Sequence, residues 1–252
     1  MTYCVGMRLN KGLIFMSDCR TNAGVDNIST FRKMFTWSKP GERVVTIMTS
    51  GNLATTQAVV SLLDERNVAP ENREMTLFKA PTMFQVARLV GDTLKEIIQT
   101  QAEDQHESEA SFGATMIVGG QINGMEPRLF MIYPEGNFVE ASDETPFFQI
   151  GETKYGRPII LRAYDPAMSF EAAVKLLCVS FDSTLKANLS VGMPLDLQTY
   201  EEDALEVGQV RRFEEGDPYF QGVTTGWKEA LQSAFELLPD FTFETSGDPD
   251  RI

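Results

Sequence analysis

The sequence predicts an α+β protein in which two packed sheets carry helices on their outer faces. Three observations predict it. Strand-like runs open the chain and recur in its middle, helical periodicities follow each set, and Phe112–Gly119 is apolar on both faces, as a strand covered on both sides must be.

Thr2–Leu9 and Leu13–Ser17 read as a hairpin turning at Asn10-Lys11-Gly12, and Ile28–Trp37 and Val44–Met48 continue as strands. Ser50-Gly51-Asn52 breaks the pattern. Ala54, Ala58 and Leu62, with Val59 and Leu63, then recur at helical spacing. Thr82-Met83-Phe84-Gln85 has the form of a capping box, and Phe84, Ala87, Val90, Leu94, Ile97 and Gln101 carry a helix whose face from Phe84 to Ile97 is apolar. After Phe112–Gly119, Asn123-Gly124 signals a hairpin, and Arg128–Tyr133, Phe138–Ala141 and Phe147–Ile150 read as a meander. Ser169 is a candidate N-cap for a helix presenting Phe170, Val174, Leu177, Phe181 and Leu185. Leu195–Tyr200 and Val207–Arg212 are short strands, and Trp227, Leu231, Ala234, Phe235 and Leu238 mark a last helix. One domain is expected over residues 1–243, with 193–243 as a C-terminal addition to it and 244–252 as a loose polar tail.

Composition excludes several function classes. A net charge of −14 opposes nucleic acid or an anionic membrane as the main partner, since both select a basic surface. No apolar run is long enough to span a membrane, and the N-terminus lacks the form of a secretory signal. Cys4, Cys19 and Cys178 are widely spaced and odd in number, which fits neither a zinc site nor a disulfide framework and makes a reducing, cytoplasmic setting the default. His106, the single histidine, lies in the acidic stretch QAEDQHESEA, as a solvated loop or helix end would. A histidine-based nucleophile needs a packed cleft, so that chemistry is not expected, nor is a multi-histidine metal site or any cofactor.

Thr2 offers nucleophilic chemistry without histidine. Methionine is readily trimmed before a small side chain, which would leave the Thr2 hydroxyl beside its own free α-amine. A terminal amine has a reference pKa of about 7.7–8.0, so much of it is neutral near pH 7 and can accept the hydroxyl proton. A nearby ammonium would lower that pKa, and a carboxylate would hold the ammonium. Asp18 at the end of the second strand and Lys33 in FRKMF are the candidates; the hairpin returns Asp18 toward the N-terminus, and a third adjacent strand would bring in Lys33. Gly51, in the strand-to-helix turn SGNLA, is a candidate backbone donor for an oxyanion.

Thr2, SDCRT with Asp18, RKM with Lys33 and SGNLA with Gly51, in that order and spacing, resemble the proteasome β-type peptidases, the threonine members of the N-terminal nucleophile hydrolases. MTYCVGM through SDCRTNAGVDNISTFRK, and DSTLKANLSVGMPLDL, are similar to the bacterial branch called Anbu, the ancestral β subunit. The resemblance implies a four-layer αββα sandwich and a nucleophilic Thr2 tuned by Asp18 and Lys33, with Gly51 N–H in the oxyanion hole. Thr21, Asn22, Thr49 and Leu53 would line the substrate cleft, where an edge pairs with an extended peptide. It also implies self-assembly into a ring or a helical, ring-like stack. The chain departs from the pattern at two places. Glu152 stands where the family's glycine-serine-glycine segment has serine, and Asn188 stands where a later aspartate is usual, with Asp182 or Ser190 as candidates for the missing polar group. The functions that follow are a threonine-type peptidase, an amidohydrolase acting on a non-peptide or modified-peptide amide, or a catalytically silent ring-forming scaffold.

Overall fold

A computed structural model describes residues 1–22, 28–68 and 75–243; the tail expected over 244–252 lies outside the described residues. The described residues form twelve strands and five α-helices, in order: β1 Tyr3–Leu9, β2 Gly12–Asp18, β3 Arg20–Asn22, β4 Ile28–Thr30, β5 Met34–Lys39, β6 Arg43–Gly51, α1 Leu53–Val68, α2 Met83–Gln105, β7 Ala114–Ile122, β8 Arg128–Ile132, β9 Phe138–Glu140, β10 Phe147–Gly151, α3 Arg157–Ala163, α4 Phe170–Ala187, β11 Leu195–Glu201, β12 Val210–Phe213 and α5 Pro218–Glu236.

The strands form two antiparallel five-stranded sheets, β10-β1-β2-β11-β12 and β5-β6-β7-β8-β9, and a small β3-β4 ribbon. Period-two alternation sorts the side chains into three apolar layers. Cys4, Leu13, Phe15, Met48, Ile117 and Phe148 meet between the sheets. Val5, Met7, Ile14 and Met16 face outward onto Leu177 and Phe181 of α4. Val45, Ile47, Met116 and Val118 face outward onto Val59 and Leu63 of α1 and Val90 and Leu94 of α2. Both faces of each sheet are therefore buried, which gives the four-layer αββα sandwich of a proteasome-type fold.

Local signals place the helices. Thr82 Oγ1 accepts from Gln85 N–H at 3.2 Å and starts α2, and Ser169 Oγ accepts from Ala172 N–H at 3.2 Å and starts α4. His106 is the left-handed C-cap of α2, with φ 53°. α5 begins earlier than its apolar periodicity indicates, because Asp217 caps it through Phe220 N–H at 3.0 Å and Pro218 fits the first turn.

Four sequence expectations are corrected. Ile28–Trp37 is two strands, not one: β4 pairs with β3 and β5 pairs with β6, so the chain changes sheets at Phe31–Lys33. Phe112 belongs to a 3-10 turn, Glu109–Phe112, begun by Ser108, and the doubly covered strand starts at Ala114. β10 does not close a meander after β9 but crosses to pair with β1, where Phe148 and Ile150 reach the inter-sheet core and Phe147 the outer layer. The α2 face is rotated slightly, with Met83, Val86 and Ile98 buried and Phe84 exposed against Phe138. α3, at seven residues, is too short to betray itself by periodicity.

The segment after Gly192 is joined directly to the sheet. β11 lies against β2 in register from Leu195↔Asp18 to Glu201↔Gly12. Among the described residues, no helix is long and apolar enough to cross a membrane.

Candidate active site

The first strand is fixed at its very start. Tyr3 is fully buried, and its hydroxyl lies 2.6 Å from Ser180 Oγ on α4 and accepts from Gln149 Nε2 on β10 at 2.5 Å. Ser180 Oγ also donates to the Gly156 carbonyl at 3.1 Å. Burial pushes the Tyr3 phenol far above its ordinary pKa, so it acts as a neutral hydrogen-bonding anchor. Main-chain bonds hold Thr2 as well: Glu152 N–H donates to the Thr2 carbonyl at 2.6 Å. Gly151 makes that approach possible. Its φ is +84°, and a Cβ there would lie 2.0 Å from the Thr2 carbonyl oxygen.

Beneath Thr2 lies a buried ion pair. Lys33 Nζ donates to Asp18 Oδ1 at 2.8 Å and to the Arg20 carbonyl at 2.6 Å. Asp18 also accepts from Tyr3 N–H at 2.9 Å and from Gly192 N–H at 3.3 Å. The carboxylate is thus bonded to the strand that carries Thr2, to the ammonium and to the segment leading into β11. Burial raises the Asp18 carboxyl above its ordinary pKa, and the Lys33 ammonium and the two N–H donors oppose that rise. Lys33 arrives from the opposite sheet rather than from a third strand beside the hairpin, and the sheet-changing bend at Phe31–Lys33 turns it inward. Phe31 N–H bonds the Cys19 carbonyl and Thr49 N–H the Lys33 carbonyl, both at 2.9 Å, which pins that bend from both sides.

A cleft of about 440 Å³ opens above this pair, lined by Thr2, Lys33, Gly51, Thr21, Thr49 and Leu53, with Met1 at its edge. Six residues named from sequence therefore meet in one cavity, and Asp18 supports it from below. Gly51 is the last residue of β6, two residues before α1, in the strand-to-helix turn expected from SGNLA. Its φ is +118°, and a Cβ would fall 2.4 Å from the Gly113 carbonyl, so only glycine fits. Met1 is 62% exposed; it is touched at its sulfur by Asn188 Nδ2 at 3.9 Å.

The remaining candidates separate. Glu152 is buried beside Thr2, with Oε2 accepting from Asn188 Nδ2 at 2.9 Å and Oε1 from Lys154 N–H at 3.1 Å. Asn188 Oδ1 accepts from Ser190 N–H at 2.9 Å, so Asn188 organises the loop after α4 as well. Asp182 does not line the cleft. It pairs with Lys186 at 2.8 Å and accepts from Thr224 Oγ1 at 2.9 Å, tying α4 to α5. Asn22 ends β3, with its backbone opposite Ile28. Residues that sequence reasoning missed include Gly151, whose positive φ has no local signature, and Gly192, whose N–H reaches Asp18 across the fold. Arg32 and Phe35, also missed, flank Lys33 in the chain and line the same cleft.

A family model described as "Proteasome subunit" matches residues 2–197. Among solved structures, Anbu (Gly-1) mutant from Hyphomicrobium sp. strain MC1 is 48% identical over 96% of this chain and 100% of its own, with a TM-score of 0.89. Anbu (ancestral beta-subunit) from Yersinia bercovieri is 46% identical over the same shares, also with a TM-score of 0.89. The helical assembly of the Anbu complex from Pseudomonas aeruginosa is 43% identical over 95% of this chain and 98% of its own, with a TM-score of 0.88. Among curated proteins, none matches the chain.

Proposed function

Because the chain belongs to the proteasome subunit family, in its Anbu branch, we propose that it is an N-terminal threonine hydrolase that cleaves peptide or related amide bonds once Met1 is removed. The observation that carries this reading is the convergence of Thr2, the buried Lys33–Asp18 pair and Gly51 on one cleft. The exposure of Met1 leaves it accessible to an aminopeptidase.

In this mechanism the freed Thr2 amine, kept neutral by the adjacent Lys33 ammonium, accepts the proton of Oγ1 as the hydroxyl attacks the carbonyl carbon. Gly51 N–H donates to the oxyanion. The amine's proton then passes to the leaving nitrogen as the C–N bond breaks, leaving an ester on Thr2 Oγ1. Water, deprotonated by the same amine, hydrolyses that ester and regenerates the hydroxyl. β3, paired among the described residues with β4, offers its other edge to an extended substrate. Three free cysteines suit a reducing, cytoplasmic setting.

The test is a panel of peptidyl amides alongside small non-peptide amides, assayed on the assembled protein. Release of the amine from peptides is expected. Turnover confined to the non-peptide members would instead assign the protein as a different amidohydrolase, and no turnover of any would favour a silent scaffold. Glu152 and Asn188, a buried acid–amide pair beside Thr2, are the specific feature that keeps the scaffold reading alive.

We further propose that the chain self-associates, as the helical assembly of the Pseudomonas aeruginosa relative supports. The end of α5 and the residues after it carry an apolar surface too large to leave in water, with Leu231, Phe235, Leu238, Phe241 and Phe243 all exposed. Substituting Phe235 and Leu238 together with serine should shift sedimentation to smaller species while leaving the far-UV spectrum unchanged.

A further inference from the structure

Charge in the cleft is one-sided. The chain has 36 acidic and 22 basic residues, yet among the described residues the cleft lining contains Arg32 and Lys33 and no aspartate or glutamate. Lys33 is committed to Asp18 and to the Arg20 carbonyl. Arg32 is exposed and, among the described residues, takes part in no ion pair or hydrogen bond. Among the described residues of the cleft, none cancels its charge. Phe35 and Leu53 supply apolar wall, and Thr56 and Gln57 add uncharged polar groups. Such a lining suits an aliphatic stem ending in an anion.

Resting on the hydrolase reading, we propose that the cleft selects an acidic side chain on the acyl side of the scissile amide, with Arg32 as the specificity-determining residue. A guanidinium fork matches a carboxylate with two parallel donors, which an amide of the same shape cannot exploit. The net charge of −14 would oppose an acidic substrate at long range. Salt screens that field beyond about 8 Å at physiological ionic strength, so the local guanidinium decides inside the cleft.

The experiment compares two peptidyl amides that differ only in glutamate or glutamine before the scissile bond. The wild-type protein should favour glutamate in kcat/KM by about tenfold, a ratio that falls as salt is raised. Arg32→Gln should bring the ratio close to one. Arg32→Glu should invert it and favour a lysine substrate. Arg32 is exposed and, among the described residues, unpaired, so these variants should fold; a melting temperature checks that. Equal turnover of both peptides by the wild type, or a preference that survives Arg32→Gln, overturns the proposal. A small neutral electrophile tests the parent reading separately. Labelling at Thr2 without any charge preference sinks the acidic specificity alone, whereas no labelling at Thr2 sinks the hydrolase reading, and this proposal with it.

Discussion

Replacing Thr2 with alanine should reduce covalent labelling by a threonine-directed electrophile, and turnover of any amide substrate, to background. The expected loss is about 10⁴-fold or more, as for other enzymes stripped of their nucleophile. Stability should hardly change. Thr2 is partly exposed, its carbonyl bond to Glu152 N–H is independent of the side chain, and among the described residues its hydroxyl makes no hydrogen bond. Thr2→Ser keeps a hydroxyl beside the amine and should retain measurable labelling. A structural role for Thr2 predicts the reverse, a stability change with chemistry intact. Labelling that persists in Thr2→Ala at the wild-type rate would remove Thr2 as the nucleophile.

Lys33→Ala should damage both chemistry and stability. It leaves the fully buried Asp18 carboxyl without its ammonium, at a cost of about 3–5 kcal/mol in chemical denaturation. Labelling should fall about a thousandfold. If the single variant does not fold, Asp18→Asn with Lys33→Met removes both buried charges together; it should recover much of the stability and none of the reactivity. The pH profile separates the two roles. In the wild type the Lys33 ammonium disfavours a second cation, so the amine titrates below its reference value of about 7.7–8.0 and reactivity rises with pH through that lowered value. Without the ammonium, the residual activity should rise only at higher pH. On the acid side, burial raises the Asp18 carboxyl above its ordinary pKa, so the pair fails as pH falls through that raised value. A profile that Lys33 substitution does not move would leave Lys33 a structural residue.

Much of the site could be read from sequence because its parts sit at ends of regular elements. Thr2 precedes a strand whose alternation is plain, Asp18 ends the next strand of the same hairpin, and Gly51 stands between a strand and a helix. Local patterning reports such positions well. It reports poorly on anything decided by which strand lies beside which. The route of Lys33 to Asp18 is hidden, because nothing local in Ile28–Trp37 reveals that its halves serve different sheets. β10 looked like the continuation of a meander, although its pairing with β1 is what brings Glu152 to the Thr2 carbonyl. β11 read as a late, peripheral strand, yet it lies along β2, and the segment leading into it carries the Gly192 N–H that reaches Asp18. The place of Arg32 is equally hidden, because a lone arginine beside the lysine has no periodic signature and gains meaning only from the other described residues that line the cleft.

The Glu152–Asn188 pair lies beside the Thr2 carbonyl. Glu152 is held by Asn188 Nδ2 and Lys154 N–H and is joined through its own N–H to Thr2.

The most direct measurement of the central claim is mass spectrometry of the assembled protein before and after treatment with a neutral electrophile, with the adduct located by peptide mapping. The account predicts a native chain lacking Met1 and one adduct on the N-terminal peptide at Thr2. A chain that keeps Met1 and takes up no adduct, or an adduct on any other residue, would contradict it.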